Sequence, residues 1–145
     1  MDYSSTFAIS AAGMALERAR VEVAALNLAN AHTTHAVGQP GFRPLRVLAQ
    51  PAATASGFAA MLAAGDPTGA APVYQLAPAA VAPRQVHEPG HPLADERGFV
   101  SYPGVDPAAE MIGLLSATRA YEANVAAMNT ARTLALKALE IGGNS

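Results

Sequence analysis

Eleven prolines crowd the middle of this chain. All lie between Pro40 and Pro107, leaving 39 residues before them and 38 after them with none. Proline lacks the amide proton a helix needs, and its ring collides with the preceding turn. Long helices are therefore barred from the middle and permitted at both ends. The partition predicts a mainly α chain in three parts: an N-terminal helix over residues 1–31, an irregular β-containing middle over 32–105, and a C-terminal helix over 106–145.

The N-terminal part carries two apolar rows. Phe7, Ala11, Met14, Val21, Ala25 and Leu28 recur in steps of three and four, interrupted by Arg18, and Ile9, Ala12, Leu16, Ala19, Val23 and Leu26 form a second set. The sets are offset by two residues, about 200° around an α-helix, so they occupy opposite faces. Such a helix has two faces to bury and only a narrow charged strip at Glu17, Arg20 and Glu22.

The C-terminal part has clear end signals. Asp106 is placed to cap, Pro107 suits the first helical position, Glu110 complements the dipole, and Gly142-Gly143 supplies a stop. Between them Met111, Leu114, Thr118, Tyr121, Val125, Met128, Arg132, Ala135 and Leu139 alternate in steps of three and four. That is a heptad seam, imperfect at Thr118 and Arg132. Leu115, Leu134, Leu136 and Ile141 lie off it, so this helix also has apolar surface to spare. The expected architecture is an antiparallel coiled-coil hairpin of the two terminal helices, their remaining faces packing on other subunits.

In the middle, residues 43–48, 73–76, 84–87 and 98–102 are short β-like runs bounded by Pro or Gly. Residues 52–64 suit a short helix or a flexible segment, and 69–83 read as a linker rich in Ala and Pro.

Composition excludes several function classes. Of the 51% apolar residues, 35 are alanine, so only 39 of 145 residues are larger and apolar. One chain of this size cannot cover two long two-faced helices with so few large side chains. A net charge of −2, with eight dispersed arginines and one lysine, argues against a nucleic-acid partner or an anionic membrane surface. Without cysteine there is no disulfide framework, thiolate zinc site or cysteine nucleophile. The longest uncharged stretch, 47–65, contains Pro51 and Gly57 and is not expected to span a membrane. Residues 1–5 lack the basic region of a secretory signal, which predicts a soluble chain, or one exported without a cleaved signal.

Two histidine pairs are candidate metal sites. His87-Glu88-Pro89-Gly90-His91 matches the H-E-x-x-H zinc-protease pattern in letters. That chemistry needs a helix to bring both imidazoles to one face. Pro89, Gly90 and Pro92 favour a turn instead, and no later histidine completes the set. His32-Thr33-Thr34-His35 stands where the first helix should end and reads as a polar exit. With no phosphate loop, nucleophile elbow or dinucleotide fingerprint, no catalytic residue, metal, cofactor or small-molecule substrate is expected.

Asparagine is a poor helix former because its amide competes for backbone bonds. Asn30 stands at the expected helix end. Asn27, Asn124 and Asn129, set among alanines, read either as bonds between closely packed helices or as plain surface positions.

These residues also carry a resemblance. Asn27-Leu28-Ala29-Asn30-Ala31 resembles the asparagine-rich signature of bacterial flagellar rod and hook proteins. Residues 88–95 (EPGHPLAD), 98–100 (GFV), 102–106 (YPGVD), Glu110-Met111 and 119–125 (RAYEANV) resemble the proximal, FlgC-type family of flagellar basal-body rod proteins. The likeness covers about residues 5–46 and 83–141; residues 49–82 match little. It implies a structural subunit of the periplasm-spanning rod, exported by the flagellar type III apparatus without signal cleavage, with copies of itself and other rod proteins as partners. The expected assembly interface comprises Phe7, Met14, Val21, Asn27, Leu28 and Asn30 on the first helix. On the second it comprises Met111, Leu114, Tyr121, Val125, Met128 and Leu139. Small residues at Ala11, Ala25 and Ala135, and on the opposite face at Ala12 and Ala19, would let helices approach closely. The rival readings are a helical adaptor unconnected with flagella and a zinc enzyme built on His87 and His91.

Overall fold

The computed structural model describes residues 3–50 and 73–143. The stretch 52–64, read as a short helix or a flexible segment, falls outside them. In order come α1 (Tyr3–Asn30), β1 (Leu45–Gln50), β2 (Val73–Pro78), β3 (Arg84–His87), β4 (Phe99–Tyr102) and α2 (Pro107–Gly143). At 1.5 Å per residue α1 runs about 42 Å and α2 about 56 Å. The two helices occupy the proline-free ends, and short two-stranded sheets, β1-β2 and β3-β4, fill the proline-rich middle.

Local chemistry sets the element ends. Asp106 Oδ1 accepts the Ala108 amide at 3.0 Å, and the Asp106 carbonyl accepts the Glu110 amide at 3.0 Å, so the cap read from the sequence starts α2. β1 begins at Leu45, two residues later than the β-like run. Pro44, which has no N–H, contributes only its carbonyl, accepting the Ala79 amide at 2.7 Å. β4 begins directly after Gly98, whose φ of 79° is left-handed backbone that glycine adopts without steric cost.

The chain divides into two compact units. Among the described residues one comprises 3–19, 48–50, 73–75 and 116–143, the other Arg20–Val47 and Leu76–Leu115. In the first, Ser10, Glu17, Ala19, Ala117 and Ala131 are buried. In the second, antiparallel β3 and β4 pair Arg84 with Tyr102 and Val86 with Val100, and Val100 is fully buried. His35 and Ser101 exchange backbone hydrogen bonds of 3.0 and 3.1 Å, attaching the exit of α1 to β4. Val23, Ala24, Asn27, Ala31 and Ala79 complete that core.

The buried set is made mostly of small residues, with Glu17 as the exception. Among the described residues, the largest fully buried side chains are Val100 and Asn27. On α1, Ser10, Glu17, Ala24 and Asn27 are buried between the two apolar rows, and Ala19 and Val23 are buried on the second row. Small side chains permit close backbone approach, and the larger apolar residues of the helices are mostly half-covered or exposed.

Candidate assembly interface

On α1, four of the expected interface residues, Phe7, Met14, Val21 and Leu28, are half-buried, while Ile9 and Leu26 of the opposite row are exposed. On α2, Leu114, Val125 and Met128 are half-buried and Ala117 and Ala131 are buried. Tyr121 is 39% exposed and Met111 53%. Ile112, Leu115, Leu134 and Leu136 also face outward, and Leu139 and Ile141 reach 72% and 78%. Water-exposed single leucines are ordinary, but a run of large apolar side chains along one helix marks an interaction surface.

The expected asparagines divide. Asn30 turns back on its own helix, donating to the Leu26 carbonyl at 2.9 Å, while the Asn30 carbonyl accepts the Thr33 hydroxyl at 2.8 Å. Asn27 is 1% exposed and its amide is spent within the chain. Its Oδ1 accepts the Leu45 amide at 2.9 Å, and its Nδ2 donates to the Leu45 carbonyl at 2.9 Å and to Glu110 Oε1 at 3.1 Å. Asn124 donates to the Ala120 carbonyl of its own helix at 3.0 Å and lies against Gly13.

The histidines are placed by packing and turns. His87 ends β3 with its ring edge-on to Phe99, centroids 5.1 Å apart. His91 lies in the following turn, where its Nδ1 accepts the Leu93 amide at 3.1 Å and its Nε2 lies 3.4 Å from the Thr34 hydroxyl. Strand followed by turn replaces the helix that the zinc-protease pattern requires. Among the described residues no three His, Cys, Asp or Glu side chains are grouped to hold a metal ion. His35 packs its ring against Gly41 beside a cleft of about 270 Å³ walled by Phe42, Pro44, Val81 and Pro83.

Sequence reasoning missed two arrangements in the β3-β4 hairpin. Asp95 Oδ1 accepts the Arg97 and Phe99 amides at 2.9 and 2.8 Å, holding the turn before Gly98. Tyr102 donates its hydroxyl to the Glu88 carboxylate at 3.0 Å from one oxygen and 3.1 Å from the other, with the Arg84 guanidinium 5.7 Å from its ring centre. The Glu88 hydrogen bond, aided by burial and by Glu88's charge, raises the phenol pKa above 10.0, while Arg84 opposes the shift. The Asp95 turn had a legible signal in the spacing Asp95-x-x-Gly98; the Tyr102–Glu88 pair, fourteen residues apart, had none.

Two long helices, the second with large apolar side chains left exposed along its length, suit a structural subunit. Residues 96–141 match the family described as the flagellar basal body rod FlgEFG protein C-terminal region. Over 137 residues, 94% of this chain and 95% of the relative, it is 38% identical to the flagellar basal-body rod protein FlgC of Salmonella typhimurium. Against the FlgC proteins of Yersinia enterocolitica and Bacillus subtilis it is 37% and 35% identical, covering 98% and 92% of the chain and 99% and 94% of those relatives. The chain belongs to the FlgC family of flagellar basal-body rod proteins.

Proposed function

We propose that this chain, a structural rod subunit by its family, builds the proximal rod of the flagellar basal body through its terminal helices. In this reading α1 and α2 pair as an antiparallel coiled-coil hairpin within residues 1–31 and 106–145. Two contacts support that pairing: Gly13 lies against Asn124 and Asn27 bonds Glu110, so a step of fourteen residues forward in α1 matches fourteen back in α2. The segment 32–105 forms the outer part of the subunit.

The observation that carries the reading is the uncovered apolar surface of α2, from Met111 to Ile141, in a member of a rod-protein family. Copies of this chain and related rod proteins are its partners, and the packed helices carry torque from motor to hook. Export proceeds through the flagellar type III apparatus without signal cleavage. Among the described residues no helix is long and apolar enough to cross a membrane.

The test is Val125→Asp in the source bacterium, scored by motility and by electron microscopy of basal bodies. Loss of both is expected, because the charge enters a desolvated interface. Motile cells with intact basal bodies would overturn the reading.

A further inference from the structure

The buried amide of Asn27 serves one backbone position as a second peptide group would. An asparagine side chain offers two donors and one acceptor oxygen. Here the oxygen receives the Leu45 amide, and the nitrogen gives hydrogens to the Leu45 carbonyl and to Glu110. Leu45 is the first residue of β1, Glu110 lies in the first turn of α2, and Asn27 lies in the last turns of α1. One side chain thus joins three elements separated by 18 and 83 residues along the chain. Asn27 itself is 1% exposed, so a bond its amide loses is poorly replaced by water, although Leu45 and Glu110 are only half-buried.

We propose that Asn27 is a positioning residue which sets, in one hydrogen-bonded junction, both the register of α2 against α1 and the point at which β1 leaves the helices. Apolar packing alone cannot do this, since Val23, Ala24 and Ala31 around it are small and non-directional. Aspartate has nearly the same shape but no donor. It would turn its second oxygen toward the Leu45 carbonyl and the Glu110 carboxylate, replacing two attractions by two repulsions. Glutamine, one methylene longer, cannot meet Leu45 in the same plane.

The inference rests on the rod reading only for its consequence in assembly, and the experiment keeps the two apart. Asn27→Asp, Glu110→Gln and the double variant are compared by hydrogen exchange of the full-length chain and by swimming of cells carrying each as the chromosomal copy. Asn27→Asp is expected to speed exchange at Leu45 to Val47 about tenfold or more, since a buried acceptor loses its donor. Glu110→Gln, whose Oε1 still accepts from Asn27, stays within about threefold of the parent. Added to Asn27→Asp, it supplies a donor to the new carboxylate and restores part of both protection and swimming. Should Asn27→Asp fail to fold, recovery of folded protein in the double variant supports the junction. Unchanged exchange in Asn27→Asp, or a double variant no better than Asn27→Asp, overturns it. Normal swimming after deletion of the whole gene would sink the rod reading and leave the exchange result standing.

Discussion

Gly13 lies so close to Asn124 that a methyl group on it would sit 2.9 Å from Oδ1 and 3.0 Å from Nδ2. The Asn124 amide is held there by donating to the Ala120 carbonyl at 3.0 Å. Gly13→Ala gains helix propensity of about 1 kcal/mol. It also pushes the amide off its carbonyl, which offsets that gain. The change is therefore nearly neutral in the parent, whereas in an Asn124→Ala background it stabilises by about 1 kcal/mol. Thermal melts of the four proteins followed by circular dichroism measure the cycle, and strict additivity would contradict the contact.

The start of α2 was legible because it is local: Asp106 caps it through its immediate neighbours. By contrast, α1 ends at Asn30, well before Pro40, and α2 continues through Gly142 and Gly143, the stop expected from the sequence. The interior of the pair was not legible. Heptad reading selects large apolar residues such as Leu139, yet this residue is exposed while Ser10, Ala117 and Ala131 are buried. Periodicity reports which side chains seek cover, whether within the chain or against another subunit, and cannot separate the two. The role of Asn27 was half legible: its amide was a candidate for specific bonding, but Leu45 and Glu110 are 18 and 83 residues away.

Gly98 has a φ of 79°, and a Cβ there would meet His87 Nε2 and Pro89 Cβ at 3.0 Å each. Left-handed backbone costs a non-glycine residue about 1–2 kcal/mol, and the crowding adds to it. Gly98→Ala should lower the stability of the β3-β4 hairpin by about 2 kcal/mol. Urea titration followed by tyrosine fluorescence checks the loss. Asp95→Ala, which strips acceptors from the Arg97 and Phe99 amides, should weaken the same turn.

Tyr102 links stability to alkaline pH. Its pKa is raised in the folded chain because the hydroxyl is bonded to Glu88. A raised pKa means the folded state holds the proton more tightly. The stabilisation is complete below pH 10.0 and is lost as pH climbs through the folded-state pKa. Ionisation would set a phenolate against the Glu88 carboxylate. Ultraviolet titration of the tyrosinate band should show one phenol ionising later than in the unfolded chain. Glu88→Gln should bring it back toward 10.0, and Tyr102→Phe should remove that late step. An unchanged titration in Glu88→Gln would refute the assignment.

Leu114 and Leu139 separate folding from assembly. Leu114 is half-buried in the single chain, whereas Leu139 is 72% exposed. Leu139→Asp replaces a side chain that touches mainly water, so the melting of the free subunit should shift by no more than about 0.5 kcal/mol. In the rod reading that surface meets another subunit, and burying an unpaired carboxylate there is prohibitive. Cells carrying Leu139→Asp should make normal amounts of stable subunit yet lack basal bodies with a complete rod. Leu114→Asp should fail at both levels, with the free chain destabilised by a few kcal/mol because a charge replaces partly covered apolar surface. Melts of purified subunits, set beside electron micrographs of basal bodies from the same strains, decide the matter. Intact rods built from Leu139→Asp would place the assembly surface elsewhere on the molecule.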